Sequence, residues 1–285
     1  MIVDIHTHTF PVKIAAAALK TMQAESHSAL YSEGTAEGLR KEMAEAGISL
    51  SVVQPVATRP DQVAHINDSV IQTNGTASRT GILSFGSMHP LYEAWEAELE
   101  RLAAEGVKGI KLHPVYDHVD IDAAESVRIL HKCGELGLIV LIHSGWDIGI
   151  PGSAEALPEK VRKALDAAGG VKLVAAHMGG WRSWDSARKW LADTDVFLDT
   201  AFSLGRIDPA PGYRFGSEAE RELMNGDGFL ELVSAFGADR ILFGTDSPWA
   251  GQAAEVRKIR ALRLTEEERR KILGRNAAGL LGLSS

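Results

Sequence analysis

Five residues that could hold or serve a metal stand where short apolar runs end. The first run, at 2–5, leads into His6-Thr7-His8. Alternate residues on a strand face the same side, so these two imidazoles point together. Three later runs close in Leu141-Ile142-His143-Ser144-Gly145, Ala175-Ala176-His177-Met178-Gly179-Gly180 and Phe243-Gly244-Thr245-Asp246-Ser247-Pro248. Neutral imidazole and carboxylate are ligands for Zn2+, and also suit Mn2+ or Fe2+. Taken singly, each is an ordinary strand-end residue hydrogen-bonded to a loop, and an isolated His-x-His arises by chance.

The elements that carry these residues decide whether they act together. Strand-like cores lie at 2–5, 50–54, 81–85, 107–112, 138–142, 171–176, 196–199 and 240–243, with helix-like stretches between them at 36–46, 93–104, 123–135, 155–167 and 254–263. Asp122 followed by Glu125 predicts an N-cap with its reciprocal acid, and Gly137 a stop for that helix. Thr265 with Glu268 predicts a second capping box, opening a C-terminal helix through Leu281. Strands alternating with helices give a parallel sheet, because parallel neighbours need crossover connections. An open doubly wound sheet would carry a Gly-rich phosphate loop after its first strand, where this chain has His-Thr-His. The expectation is therefore α/β, a single (β/α)8 TIM barrel forming one domain over 1–285, with its active site at the C-terminal strand ends. There His6, His8, His143, His177 and Asp246 share one rim, and leaving that many polar groups buried without partners would be costly.

In this order along the chain, the His-x-His, the two single histidines and the aspartate resemble the amidohydrolase superfamily. More narrowly they resemble the amidohydrolase-related group that includes aminocarboxymuconate-semialdehyde decarboxylase. Gly109-Ile110-Lys111-Leu112-His113-Pro114, the segments around His177 and Asp246, and the ending Ile272-Leu273-Gly274-Arg275-Asn276-Ala277-Ala278 carry the same likeness, which covers nearly the whole chain. The resemblance implies a divalent metal held by His6, His8, His143 and Asp246, with His177 nearby as a catalytic group. Such a ligand set leaves a position for water, whose pKa the metal lowers toward ~7. Asp246 would take that proton and pass it to a leaving group, while His177 orients the attacking oxygen or stabilises developing charge.

Lys111 shares a strand face with His113 and reads as an anion partner for substrate or a neighbouring carboxylate. A carbamylated lysine bridging two metals is the alternative. His113 either supports a ligand from behind or is a loop histidine. Arg182, set between Trp181 and Trp184, fits a clamp for a substrate carboxylate, with Trp146 and Asp147 lining the same pocket. The competing reading makes the tryptophans loop or interface anchors. Arg59 and Arg206 are weaker anion-binding candidates.

Composition narrows the partners. The chain has 285 residues, 45% hydrophobic and 24% charged, with a formal net charge of -8, which excludes a disordered chain. No apolar run approaches ~20 residues, so no membrane span is expected, and no basic stripe tracks nucleic acid. One cysteine, Cys133, and no visible secretory signal fit a cytoplasmic protein. The six Trp and the family resemblance suggest a homodimer. The functional expectation is a metal-dependent hydrolase attacking an amide, ester or lactone of a small, carboxylate-bearing molecule. A metal-dependent carboxy-lyase acting on a small unsaturated or aromatic acid is the close rival, and a non-catalytic metal-binding barrel the remote one.

Overall fold

The computed structural model describes residues 1–283. Its strands are β1 Val3–Thr7, β2 Leu50–Val53, β3 Ile82–Ser84, β4 Gly86–Ser87, β5 Gly109–Leu112, β6 Ile139–Ile142, β7 Lys172–Ala175, β8 Phe197–Asp199 and β9 Ile241–Leu242. Every expected apolar run contains a strand, and helices alternate with them. The third run, 81–85, holds β3, and a further short strand, β4, follows it after a break at Phe85. Two asparagines of the helix Val63–Asn74 explain the break, by replacing ladder bonds with side-chain amides. Asn74 accepts from the Ser84 N–H at 2.7 Å and donates to its carbonyl at 2.9 Å. Asn67 does the same for Ser87 at 2.8 and 3.0 Å.

The chain divides into two compact units, one comprising Met1–Val52, Ile148–Pro151 and Thr200–Ser285, the other Val53–Asp147 and Gly152–Asp199. The second contains a parallel ladder in the order β4-β5-β6-β7-β8, with Gly109 opposite Ile139 and Ile139 opposite Lys172. The β6 sequence Ile-Val-Leu-Ile is buried throughout, as expected of a strand covered on both faces. Helix Ala124–Leu136 packs between Trp95–Ala104 and Pro158–Ala168. It stops at Gly137 in the left-handed conformation, as the sequence predicts. Its start differs from expectation: the N-cap is Ala123, not Asp122, with no side-chain cap bond. Ala123 N–H and the Ser126 hydroxyl both close on the Asp120 carbonyl, at 3.0 and 2.8 Å, and this turn takes over the capping role.

In the first unit β1 lies beside β2 and is buried along its length. It also pairs with the segment that runs on from β9. Ile5 N–H donates to Phe243 O at 2.9 Å, Asp246 N–H to His6 O at 2.8 Å and His8 N–H to Ser247 O at 2.7 Å. The Thr265–Glu268 capping box forms as predicted. The helix it opens does not run uniformly to Leu281, because a π-helical turn, Lys271–Arg275, separates Glu266–Arg270 from Asn276–Leu281. Two tertiary contacts account for it. The Ile272 carbonyl accepts from Phe243 N–H at 2.9 Å, and a Cβ on Gly274 would lie 2.5 Å from the Met1 carbonyl oxygen. Among the described residues no helix is long and apolar enough to cross a membrane.

Candidate active site

The first unit brings together His6, His8 and Asp246. His6 Nε2 and His8 Nε2 stand 3.2 Å apart, and Asp246 Oδ1 lies 3.1 Å from His8 Nε2 and 3.6 Å from His6 Nε2. Ligand atoms held ~2.1 Å from one tetrahedral ion would be about 3.4 Å apart. The donor types and their spacing therefore fit a single divalent cation. His6 is buried, whereas His8 and Asp246 are each 15% exposed at the side chain, leaving an open side.

Asp4, directly beneath, ties both arms of this group. Its carboxyl accepts from Thr245 Oγ1 at 2.6 Å, Thr245 N at 3.0 Å, His6 N at 3.2 Å and Gln252 Nε2 at 2.7 Å. Burial pushes its pKa up to about 7, and these hydrogen bonds pull the other way. Asp246 itself has φ 66°, a conformation costly for a non-glycine residue. The backbone bond to His6 O holds it there, together with a 2.9 Å bond from Trp249 N–H to Asp246 O. Trp249 stands edge-on to His8 at 5.4 Å and also lines a cavity of about 250 Å3 with Tyr31, Phe202, Arg206 and Lys258.

The second unit brings together His143, which follows β6, and His177, two residues beyond β7. The two loops continue the strand pairing beyond the ladder. Trp181 N–H donates to Ser144 O at 2.8 Å and Trp146 N–H to Trp181 O at 3.1 Å. Ser144 Oγ donates to Gly179 O at 2.8 Å. As a result His177 Nε2 meets His143 Nδ1 at 3.1 Å. His177 and Met178 are both left-handed, with φ 60° and 57°. Asp199, the last residue of β8, holds them, accepting from His177 N–H on Oδ1 at 2.9 Å and from Met178 N–H on its carbonyl at 2.7 Å.

His113 caps the short helix Pro114–Asp117 and stacks between Tyr116 and His143, with centroids 4.0 and 4.4 Å away. Asp147 Oδ2 lies 3.8 Å from the Nε2 atoms of both His113 and His143. Lys111 is buried within β5. Trp146 is 37% exposed, so its indole is available to a ligand. Arg182 is exposed and lies over the Trp181 ring at 4.8 Å. Trp184 has a structural task, since its Nε1–H donates to His177 O at 3.1 Å.

Asp117, also buried, has neither carboxyl oxygen in hydrogen-bond geometry with a donor. Burial pushes its pKa up to about 8, while the His113 backbone and the Lys111 charge offset part of this. A carboxyl whose folded pKa is raised keeps its proton in the native state after the unfolded chain has lost it. Stability then falls as pH rises from about 4 to about 8, by up to ~1.4 kcal/mol per unit. Asp117→Asn is expected to flatten this slope in urea unfolding measured at pH 5 and pH 8.5. An unchanged slope would assign the pH dependence elsewhere.

Asp4 and Asp199, which hold the backbone at His6 and Thr245 and at His177, are residues that motif reading misses. The available signal was an acid inside an apolar strand run, since a buried carboxyl must find partners.

The amidohydrolase family model matches residues 3–283. No curated protein sequence matches the chain. Among solved structures, an uncharacterized TIM-barrel protein from Bordetella bronchiseptica is similar at TM-score 0.72 and 17% identity, covering 99% of this chain and 98% of that one. A 5-carboxyvanillate decarboxylase from Novosphingobium aromaticivorans, complexed with manganese, is similar at TM-score 0.69 and 14% identity, covering 99% and 96%. A protein described as a 2-pyrone-4,6-dicarboxylic acid hydrolase from Pseudomonas putida is similar at TM-score 0.64 and 18% identity, covering 99% and 97%. These likenesses give the fold as the TIM barrel that the strand–helix alternation predicts. With a matching family model over nearly its full length, the chain belongs to the amidohydrolase family.

Proposed function

We infer that the protein is a metal-dependent enzyme that hydrolyses an amide, ester or lactone of a small carboxylate-bearing molecule. The observation that carries this is the convergence of His6, His8 and Asp246 with 3.1–3.6 Å between Asp246 Oδ1 and the two imidazole nitrogens. His6, His8 and Asp246 would hold the cation, and His143 completes the set on the order of the motifs. Zinc is the first choice for these donors, with manganese or iron the alternatives. When bound there, a divalent cation would supply Lewis-acid charge. Asp246 moves a proton between water and the leaving group, and His177 stabilises charge on the attacked oxygen. Trp146, Arg182 and Lys111 are the proposed substrate contacts. Within the unit that holds His6, His8 and Asp246, a cavity lined by Tyr31, Phe202 and Trp249 offers aromatic walls, with Lys258 paired to Glu255 at its edge.

Decarboxylation is the second reading, favoured by the likeness to a solved decarboxylase and by those aromatic walls. Purified protein, expressed with metal and without chelator, should hold about one divalent cation per chain by elemental analysis. Incubation with a panel of lactones, esters and hydroxybenzoates then separates the readings. Acid release without CO2 supports hydrolysis, CO2 release supports the lyase, and absence of stoichiometric metal removes both.

A further inference from the structure

One carboxylate in the unit that holds His6, His8 and Asp246 has an oxygen to spare. Glu255, in the helix Gln252–Ala261, is 5% exposed. Its Oε1 accepts from Lys258 Nζ at 2.6 Å. Among the described residues none donates to its Oε2, and this oxygen is open to the cavity of about 250 Å3 that Glu255 lines. Burial raises the pKa of the carboxyl, and the Lys258 ammonium pulls the other way. A carboxylate so far from bulk water needs a donor on each oxygen, because an unmatched oxygen keeps its desolvation cost.

The other polar groups on the cavity wall are engaged. Lys258 also donates to Leu204 O at 2.7 Å, Arg206 pairs with Glu218, and Asp208 accepts from the Tyr31 hydroxyl. Tyr31 is fixed from two sides. Its N–H donates to Pro248 O at 2.8 Å, and its ring packs so close to Gly251 that a Cβ there would lie 3.0 Å from it. Trp249 joins the cavity to the candidate metal ligands, since it stands edge-on to His8 at 5.4 Å. At ~30 Å3 per water the cavity has room for about eight waters, or one substituted ring.

We propose that this cavity is a subsite for the part of the substrate remote from the reacting bond, and that Glu255 Oε2 selects an aromatic ring bearing a hydroxyl or amino donor. That the ligand is the substrate rests on the function proposed for His6, His8 and Asp246; the selection of a donor does not. The ring packs against Tyr31, Phe202 and Trp249, and its donor completes the hydrogen bonding of the carboxylate. Hydrogen bonds to an ionised group are the stronger kind, so losing this one weakens binding ~10-fold or more.

Titration of phenol, aniline, toluene and acetophenone into metal-free full-length protein, followed by saturation-transfer NMR, tests the selection without turnover. Phenol and aniline add a donor to the ring, whereas acetophenone adds only an acceptor. At least one donor ring is expected to bind ~10-fold tighter than toluene, and acetophenone no tighter. Glu255→Gln keeps an oxygen for Lys258 and presents its NH2 to the cavity, so the preference should invert. The donor ring then loses ~10-fold and acetophenone gains. Ala254→Phe fills the cavity and should abolish binding of all four probes. Equal affinity for toluene and both donor rings overturns the proposal, as does binding that survives Ala254→Phe. A Glu255→Gln variant that weakens all four probes equally, or none, overturns it too, because Glu255 would then only hold the wall. If Glu255→Gln does not fold, the toluene and Ala254→Phe comparisons still decide. Absence of metal with the donor preference intact removes the proposed function and leaves the selectivity standing; bound metal and turnover without that preference remove this proposal alone.

Discussion

Replacing Asp246 by Asn is expected to lower turnover at least ~10²-fold while part of the bound metal is retained. The amide keeps an oxygen near the position of Oδ1, which lies 3.1 Å from His8 Nε2, so ligation is weakened and not abolished. The amide cannot take up a proton at neutral pH, so the step assigned to Asp246 stops. Its backbone should tolerate the change, because Asn is among the residues that accept left-handed φ and Asp246 sits at 66°. His177→Asn makes the complementary case. The substituted chain should keep its metal almost completely and lose activity by a similar factor, since His177 is assigned to charge stabilisation. Metal content by elemental analysis and steady-state rates on the same samples separate the two roles. A His177 variant as metal-poor as a His143 variant would reverse the assignment, and wild-type turnover in both would remove the site.

Gly145→Ala should be the most destabilising single methyl addition in the loop that carries His143. The added Cβ would sit 2.2 Å from Trp181 N and 2.5 Å from both Gly180 C and Trp181 O, and φ is +92°. None of these atoms is a flexible side-chain end that could step aside. Backbone strain of ~1–3 kcal/mol and overpacking of similar size together give roughly 2–6 kcal/mol, a large share of a typical domain's ~5–15 kcal/mol. Gly137→Ala is the control, with φ +71° and nothing within 4 Å of the new Cβ, so it should lose only about 1 kcal/mol. Urea unfolding of both variants checks the contrast. Equal midpoints would mean that the pairing of the 143–146 and 179–181 loops yields easily.

Much of this protein is legible in its sequence. The eight apolar runs became strands because continuous burial on both faces leaves a mark in the sequence itself, and the Gly137 stop and Thr265 cap are signals read within one helical turn. The placement of His6, His8, His143, His177 and Asp246 after those runs was equally visible. Local signals failed where a distant segment competes for the same backbone group. Asp122 lost its cap because Asp120 O draws in Ser126, and the C-terminal helix widens to a π turn because Phe243 takes the Ile272 carbonyl. The same reason hid Asp4 and Asp199, whose partners Thr245 and His177 lie 241 and 22 positions away. A sequence records which groups can donate, accept or bind a metal. Which groups meet His143 is decided by the fold, which brings the Trp146 carbonyl to one ring nitrogen and His177, 34 residues further on, to the other, because hydrogen bonding depends on distances that only the folded chain sets.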